Sequence, residues 1–195
     1  MADEALRATF AVVEILERLG LDYLIGGSLA SSLHGIPRST QDSDVVVDLP
    51  PERVPELLAA LAGAFYADEE AALSAVDRKA AFNVIHLETM FKVDLFVLGD
   101  EPADREEMRR RERYEVAPGG PSLAFASAED TVLRKLAWYR LGNQVSDRQW
   151  RDLLGVLRVQ GARLDRSYLE RGARELGLEG LLAEALVEAR IDPPR

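Results

Sequence analysis

The sequence contains no cysteine and only two histidines, His34 and His86. Disulfide bonds and thiolate metal sites are therefore excluded, and two histidines do not favour a histidine-built zinc site. Any metal ligands in this chain must be oxygen atoms. We expect the two histidines to be packing or surface residues.

Long hydrophobic runs are also missing. No apolar stretch approaches the roughly 18 residues that a membrane span needs. The acidic start Met1-Ala2-Asp3-Glu4 lacks the basic residues that open a signal peptide. These absences predict a cytoplasmic protein that does not associate with membranes.

Basic charge is scarce, because 24 basic residues face 34 acidic ones and the net charge is −10. Broad, nonspecific binding to nucleic acid is therefore not favoured, although a local basic groove remains compatible with this balance. Lysine occurs only at Lys79, Lys92 and Lys135. Where a lysine does appear among so many arginines, we expect a compact point charge to be required.

A chain of 195 residues with 47% hydrophobic residues can form one compact domain, or a small core with a helical appendage. Periodicity and turn residues predict helices and strands that alternate up to about residue 113, with helices alone beyond it. The predicted helices are 4–19, 29–34, 50–61, 70–76, 104–113, 127–141, 146–159 and 165–176, and the predicted strands are 23–25, 42–48, 65–66, 81–87 and 91–98. This order predicts an α+β fold: a mixed β-sheet core flanked by helices, followed by a C-terminal helical bundle.

The likeliest boundary along the chain is the turn Pro118-Gly119-Gly120-Pro121. We predict a core domain over residues 1–118 and a helical subdomain over residues 122–195, packed on the core. Just before this turn, the helix 104–113 is dense in charge, with acid-to-base pairs four residues apart. It is either a solvated helix or a strip that contacts an RNA or nucleotide backbone.

Three aspartates stand inside apolar, strand-like segments, where an unpaired carboxylate would be strongly unfavourable. Asp42 and Asp44 are two residues apart and project from the same face of a strand, and Asp94 can join them from a neighbouring strand. Converging carboxylates make a site for a hard divalent cation, of which Mg²⁺ is the natural occupant and Mn²⁺ an alternative. The other interpretation is that Asp42 and Asp44 are turn-forming residues at a strand end.

A glycine-rich turn, Gly26-Gly27-Ser28, precedes these aspartates. Glycines let backbone N–H groups approach a phosphate closely, and Ser28 adds a hydroxyl donor. A helix that begins at this turn would direct its positive end at the anion. The turn is therefore a candidate phosphate-binding segment.

Glycine-serine, then Asp-x-Asp on a strand, then a third Asp on a later strand resembles the DNA polymerase β-like nucleotidyltransferase superfamily. The local sequence from Gly26 to Ala30, with Gly35-x-x-Arg38-x-Thr40-x-Asp42-x-Asp44, is similar to the AbiEii-like branch of minimal nucleotidyltransferases. That branch includes toxins of toxin–antitoxin pairs. The resemblance covers about Tyr23 to Asp152.

The resemblance implies a mixed-sheet nucleotidyltransferase core and a two-Mg²⁺ reaction, in which one ion holds the triphosphate and the other activates an acceptor hydroxyl. Asp42, Asp44 and Asp94 would be the metal ligands and catalytic carboxylates, with Asp94 on the side of the base. Lys92, two residues before Asp94 on the same strand face, would be a further catalytic residue that neutralises triphosphate or holds Asp94.

Nucleotide binding is expected at Gly26, Gly27, Ser28, Arg38, Lys135 and Asp152. Arg38 would either orient the nucleotide or be an ordinary surface arginine. The resemblance implies that Lys135 and Asp152 lie in downstream helices that close over the nucleotide, but an interhelical salt bridge explains them equally well. Trp138 and Tyr139 could stack on a base, yet aromatic residues at helical spacing are usually core residues.

These residues predict an enzyme that moves a nucleoside monophosphate from an NTP to a hydroxyl of a tRNA, a protein or a small molecule. The resemblance adds the hypothesis that the chain is a toxin with an antitoxin partner. The alternative is a noncatalytic nucleotide-binding or interaction module of a two-protein system. Three retained carboxylates disfavour that alternative, because a binding role alone does not need a two-metal geometry.

Overall fold

A computed structural model of the chain describes residues 2–116 and 119–190. The chain forms two compact units. The first comprises Met1–Gly26 and Ser39–Phe125, and the second comprises Gly27–Arg38 and Ala126–Arg195. The turn at residues 118–121, predicted as the boundary, lies partly outside the described residues. Residues 27–38, predicted as part of the core domain, belong to the helical unit.

The first unit contains a mixed β-sheet with helices around it. Its strands are β1 Tyr23–Ile25, β2 Asp42–Val47, β3 Phe65–Ala67, β4 Ala81–His86, β5 Lys92–Val97, β6 Glu112–Glu115 and β7 Ser122–Phe125. Its helices are α1 Ala2–Arg18, α3 Val54–Leu61, which follows the 3-10 turn Pro51–Arg53, α4 Glu69–Arg78 and α5 Pro102–Arg110. Within the described ranges, the sheet order is β3-β4-β5-β2-β1-β7-β6.

The pairs β2–β5 and β1–β7 are parallel, and the other neighbouring pairs are antiparallel. One face of the central strands is buried, because Val45 and Val47 of β2 and Val93 and Leu95 of β5 are fully enclosed. The alternate residues of both strands are only half-buried. This alternation gives each central strand one apolar face and one face that can carry polar groups.

The second unit is helical. Its helices are α2 Gly27–His34, α6 Ala128–Leu141, α7 Asp147–Gln160, α8 Arg166–Glu175 and α9 Glu179–Ala189. Leu136, Leu153, Leu157 and Leu169 are among the largest fully buried side chains in its core. The predicted α+β class, with a mixed sheet and a helical C-terminal region, is confirmed.

Helix starts in the second unit follow from capping side chains. Ser127, Ser146 and Asp165 each accept a hydrogen bond from the backbone N–H three residues later, which satisfies a donor that the first turn leaves unpaired. These are the residues at which the sequence predicted helices to begin. Local capping therefore fixes the helix starts from α6 to α8.

The prediction for residues 104–113 was wrong at its C-terminal end. Helix α5 ends at Arg110, and the chain then forms strand β6, which pairs with β7. The Tyr114 ring packs edge-on against Phe125, whose backbone pairs with Ile25 of β1. Pairing with the existing sheet overrides a local helical preference here. Strands β6 and β7 and helix α9 were not predicted from the sequence.

No helix in the described ranges combines the length and the apolar character that crossing a bilayer requires.

Ser43 generates a testable prediction, because it is 1% exposed on the buried face of β2 and its Oγ has no hydrogen-bond partner among the described residues. Ser43→Ala should raise the free energy of unfolding by roughly 1 kcal/mol, since an unpaired buried hydroxyl is unfavourable and the small cavity offsets only part of the gain. Urea denaturation of wild type and variant measures this difference.

Ser127→Ala is the matched control. The buried Ser127 Oγ accepts from the Asp130 N–H at 3.1 Å and donates to Asp130 Oδ2 at 2.6 Å. Its loss should lower the free energy of unfolding by about 1 kcal/mol. Equal destabilisation by both substitutions would show that the Ser43 hydroxyl is satisfied in solution.

Candidate functional site

The parallel register of β2 and β5 brings the three predicted aspartates together in the first unit. Asp44 lies opposite Asp94, and Asp42 lies opposite Lys92. Opposed residues of paired strands project from the same face, so all four side chains share the half-buried face of the sheet. The turn-former interpretation does not fit Asp44, which lies inside β2, whereas Asp42 is the first residue of that strand.

Asp94 is held by two donors. Lys92 Nζ donates to its Oδ2 at 2.7 Å, and the Asn83 amide nitrogen donates to its Oδ1 at 3.1 Å. The hydrogen bond to Asp94 raises the pKa of Lys92; burial opposes this, and the charges of Asp94, Asp42 and Asp44 add to the increase. The ammonium therefore stays protonated and supplies positive charge to a face that holds three carboxylates.

Asp42 accepts a hydrogen bond from the Thr40 hydroxyl, which bonds both the backbone oxygen at 3.0 Å and Oδ1 at 3.1 Å. Thr40 thereby holds the start of β2. Asn83 is a neighbour of the carboxylates that the sequence analysis missed. The alternation along β4 does indicate which face Asn83 occupies, because Ala81, Asn83 and Ile85 alternate with buried residues.

The donor chemistry of this face fits a hard divalent cation, since carboxylate oxygens on adjacent strands are the ligands that Mg²⁺ prefers. In the part of the chain that the structure describes, no three acidic or histidine side chains converge closely enough to hold a metal ion together. Both oxygens of Asp94 accept hydrogen bonds instead. The ligand types and their shared face fit the ion, and the Lys92 ammonium provides the positive charge in this arrangement.

The Gly26-Gly27-Ser28 segment links the two units along the chain. The Gly26 N–H donates to the Asp44 carbonyl at 2.9 Å, so it extends the strand pairing and is not free to bind a phosphate. Gly27 has a φ of +53° and begins α2. This left-handed conformation strains any residue with a Cβ atom, which explains glycine at this position.

Ser28, Arg38, Lys135 and Asp152 meet in the second unit. Arg38 forms a bidentate pair with Asp152, with both N–O distances at 2.8 Å, and its Nη2 also donates to Ser28 Oγ at 2.7 Å. Lys135 Nζ donates to Asp152 Oδ2 at 2.9 Å. Two cations thus surround one carboxylate, which leaves the cluster with a net positive charge.

Burial differs within this cluster. The side chains of Lys135 and Asp152 are 5% and 6% exposed, whereas that of Arg38 is 26% exposed. Burial by itself would raise the pKa of Asp152, but the hydrogen bonds and charges of Arg38 and Lys135 outweigh it and hold that pKa below its usual value. Among the three charged members, Arg38 is therefore the one that an external ligand reaches most readily.

A close backbone contact sets the position of Arg38. A Cβ atom at Gly35 would lie 2.7 Å from the backbone nitrogen of Val156 and 2.8 Å from the carbonyl carbon of Gly155. Only glycine at position 35 lets the end of α2 approach α7 so closely. Residues 36–38 then follow the surface of α7 towards Asp152, one turn earlier in that helix.

Both histidines are buried, as the packing interpretation predicts. A His34 ring nitrogen lies 2.8 Å from the Ala126 carbonyl, and the His86 ring contacts Phe65 and the Thr89 hydroxyl. Trp138 differs from the expectation of a core residue, because it is 53% exposed. Tyr139 packs against Trp150 with 4.9 Å between ring centroids.

The basic side chains around α5 bind carboxylates of their own unit. Arg105 donates hydrogen bonds to Asp48 and Asp100, and Arg109 donates one to Glu106. Beyond the helix, Arg111 donates to Asp22 at 2.6 Å and to the Met108 carbonyl. These ion pairs favour a structural role for the segment over the predicted strip for a nucleic-acid backbone.

No protein-family model and no curated protein sequence matches this chain. Solved structures do resemble it. An antigenic nucleotidyltransferase-like protein from Paracoccidioides brasiliensis has a TM-score of 0.59 at 17% identity, over 95% of this chain and 94% of that one.

The antibiotic-resistance factor ANT(2'')-Ia, in complex with adenylyl-2''-tobramycin, has a TM-score of 0.57 at 16% identity, over 88% of this chain and 95% of that one. The lincosamide adenylyltransferase LnuA, with lincomycin bound, has a TM-score of 0.50 at 11% identity, over 77% of this chain and 94% of that one. At these identities the likeness establishes the fold. The chain therefore has the nucleotidyltransferase fold.

The buried cluster predicts a pH-dependent contribution to stability. Because the folded pKa of Asp152 is lowered, its stabilisation is fully present above the unfolded value of about 3.9 and is lost as the pH falls through the folded value. Asp152→Asn leaves the buried Lys135 and the partly exposed Arg38 without their shared carboxylate and should lower the free energy of unfolding by about 3 kcal/mol at pH 7. Its deficit relative to wild type should shrink below about pH 4.

Urea denaturation at pH 7 and at acidic pH measures both differences. Glu184→Gln removes an exposed carboxylate from α9 and serves as the control that should change little at either pH. A deficit of Asp152→Asn that is the same at both pH values would contradict the charge-based explanation.

Proposed function

We propose that this chain is a Mg²⁺-dependent nucleotidyltransferase that moves a nucleoside monophosphate from an NTP to an acceptor hydroxyl. The observation that carries the proposal is the register of β2 and β5, which aligns Asp42, Asp44 and Asp94 on one face beside Lys92. Three carboxylates aligned on a sheet face are unfavourable for stability alone, since like charges repel across strands. A bound cation would offset this repulsion, so a cation-dependent reaction explains why three carboxylates share one face.

Asp42, Asp44 and Asp94 would hold Mg²⁺, with Mn²⁺ as an alternative. The bound ion would supply Lewis-acid stabilisation of the charge on the phosphate oxygens. The acceptor oxygen attacks the α-phosphorus, the bond from that phosphorus to the bridging oxygen breaks, and pyrophosphate leaves with the electron pair. Asp94 is the carboxylate that we assign to receive the proton of the acceptor hydroxyl.

Lys92 has a separate role in this proposal. Its ammonium is 2.7 Å from Asp94 Oδ2, and this hydrogen bond raises the pKa of Lys92, so the side chain is charged beside Asp94. A compact charge on a flexible stem can shift from Asp94 to the negative charge that grows on the pyrophosphate. That interaction strengthens in the transition state and would lower the barrier.

For the nucleotide we keep the predicted contacts Gly26, Gly27, Ser28, Arg38, Lys135 and Asp152. Within the cluster of Ser28, Arg38, Lys135 and Asp152, the partly exposed Arg38 suits a phosphate ligand, because a guanidinium can bind phosphate oxygens bidentately. Arg38 and Ser28 would donate to it, while Lys135 and Asp152 would fix Arg38. Gly26 would contribute space rather than a donor, because its N–H bonds Asp44.

The distribution of charge and the structural neighbours bear on the identity of the acceptor. The second unit contains 13 of the 24 basic residues but only 11 of the 34 acidic ones, so the excess negative charge belongs to the first unit. The net negative charge of the whole chain therefore argues less strongly against a tRNA acceptor than the same charge would if it were spread evenly over both units. One structural neighbour is named as a lincosamide antibiotic adenylyltransferase and another is in complex with adenylyl-2''-tobramycin, which adds support for a small-molecule hydroxyl.

A protein side chain is the third acceptor class. The sequence resemblance to the AbiEii-like branch supports a toxin role with an antitoxin partner. The fold alone indicates neither a toxin role nor an antitoxin partner. A noncatalytic nucleotide-binding module is the alternative, and the absence of a prearranged metal cluster in the described residues is the observation that favours it.

An NTP-transfer assay tests the proposal. Wild type is incubated with Mg²⁺, each α-labelled NTP, and separate pools of tRNA, protein and hydroxylated antibiotics, and labelled products are identified by mass spectrometry. Asp44→Asn and Asp94→Asn should abolish transfer while leaving thermal unfolding nearly unchanged, since each removes negative charge rather than packing. NTP binding without transfer to any acceptor would favour the noncatalytic alternative.

Lys92→Met separates chemistry from binding. If Lys92 stabilises the leaving group, the single-turnover rate should fall by about 100-fold while the NTP dissociation constant changes less. Calorimetry gives the dissociation constant, and rapid quench with a cognate acceptor gives the rate at saturating Mg²⁺. Weaker binding with a preserved rate would remove Lys92 from the catalytic residues.

A further inference from the structure

A single row of side chains crosses three adjacent strands of the sheet. Asn83 of β4 lies opposite Asp94 of β5, and Asp94 lies opposite Asp44 of β2. Directly opposed residues project from the same face with Cβ atoms about 5 Å apart. Asn83 and Asp44 therefore flank Asp94 from its two sides.

The contacts of Asp94 divide between its two oxygens. Asn83 donates to Oδ1 from the neighbouring strand, and Lys92 donates to Oδ2 from the same strand. An ionised carboxylate has about four acceptor positions, so two donors fix its plane without saturating it. Asp94 keeps acceptor capacity for a proton or a cation.

We propose that Asn83 is a positioning residue that orients Asp94 for the transfer reaction. This inference rests on the proposed function, because it assigns Asn83 a task only if Asp94 takes part in chemistry. Asn83 itself contacts neither substrate nor metal in this proposal. It acts through the Oδ1 atom of Asp94.

The chemistry of an amide suits this task. The Asn83 side chain donates a hydrogen bond to Oδ1 without bringing a positive charge, so it leaves the negative charge of the carboxylate uncompensated. Lys92 does bring such a charge, and its long stem allows the ammonium to move towards a phosphate. When Lys92 moves, Asn83 is the donor that continues to hold Asp94 in its plane.

Folding gives little reason for this hydrogen bond. Asn83 is exposed on β4, and a hydrogen bond at an exposed position contributes little to stability. Asparagine is also depleted in strands, where β-branched and aromatic residues are favoured. A residue with poor strand preference that bonds a candidate catalytic carboxylate is better explained by orientation than by stability.

Two substitutions test the inference kinetically. Asn83→Ala removes the donor, and we expect kcat to fall by roughly 10- to 100-fold, because a carboxylate misplaced by about 1 Å costs that much in rate. KM for NTP should change by less than about threefold. Asn83→Asp keeps the shape but cannot donate and places like charges opposite each other, so it should be slower still. Asn83→Ala should unfold at the same temperature as Glu184→Gln, an exposed control on α9, whereas Asn83→Asp should unfold at a lower temperature because it adds a like charge opposite Asp94.

Nuclear magnetic resonance provides a readout that does not depend on turnover. The chain has only two asparagines, Asn83 and Asn143, so selective ¹⁵N-asparagine labelling gives two side-chain amide groups, each seen as a pair of signals that share one nitrogen shift. Asp94→Ala should shift the Asn83 signal, since its acceptor is lost. Asn143 belongs to the other unit and is the internal control.

The outcomes are distinguishable. A slow Asn83→Ala variant with unchanged stability, together with a shifted amide signal in Asp94→Ala, would support the positioning role. If wild type is active and Asn83→Ala is equally active, the positioning role is overturned and the proposed function stays intact. The same holds if the Asn83 amide signal does not shift in Asp94→Ala. A wild type that transfers nothing to any acceptor would overturn both.

Discussion

The parallel pairing of β2 with β5 is the constraint on which the candidate site depends. These strands are separated by more than forty residues of chain, yet their register sets Asp44 directly beside Asp94. A shift of one residue would turn every side chain of one strand to the opposite face. The buried valines and leucines of both strands prevent that shift, because it would expose them and bury the carboxylates. Apolar packing on one face therefore fixes the position of charge on the other.

The two units neutralise their carboxylates in different ways. In the first, Asp94 bonds a partly exposed lysine and an exposed neutral amide, so its surroundings can exchange partners with a ligand. In the second, Asp152 is buried and bound by Arg38 and Lys135 at once. Breaking the second arrangement would leave buried charges uncompensated, which is strongly unfavourable. We therefore interpret the first as a site built for exchange, and the second as a rigid support for Arg38.

The close contact of Gly35 with α7 shows how a backbone feature can position a charged side chain. Without a side chain at position 35, the end of α2 packs directly on the backbone at Gly155 and Val156. This contact assigns a segment from the N-terminal half of the sequence to the helical unit. The sequence contained both glycines, but nothing in their spacing indicated that they pack against each other. Segments distant in the chain meet through tertiary packing, which has no local signature.

Local chemistry in the sequence determined much of this protein. Alternating apolar residues predicted the central strands, capping residues predicted the starts of α6, α7 and α8, and the Asp-x-Asp spacing predicted that Asp42 and Asp44 share a face. Tertiary structure decided what depends on partners: the register that aligns Asp94, the pairing of Arg38 and Lys135 with Asp152, and the conversion of residues 112–115 into an edge strand. Tertiary structure also decided the position of Asn83, because only the pairing of β4 with β5 places this residue opposite Asp94. The physical reason is that helix caps and strand alternation depend on neighbours within a few residues. Register and ion pairing arise only when distant segments compete for the same packing surface.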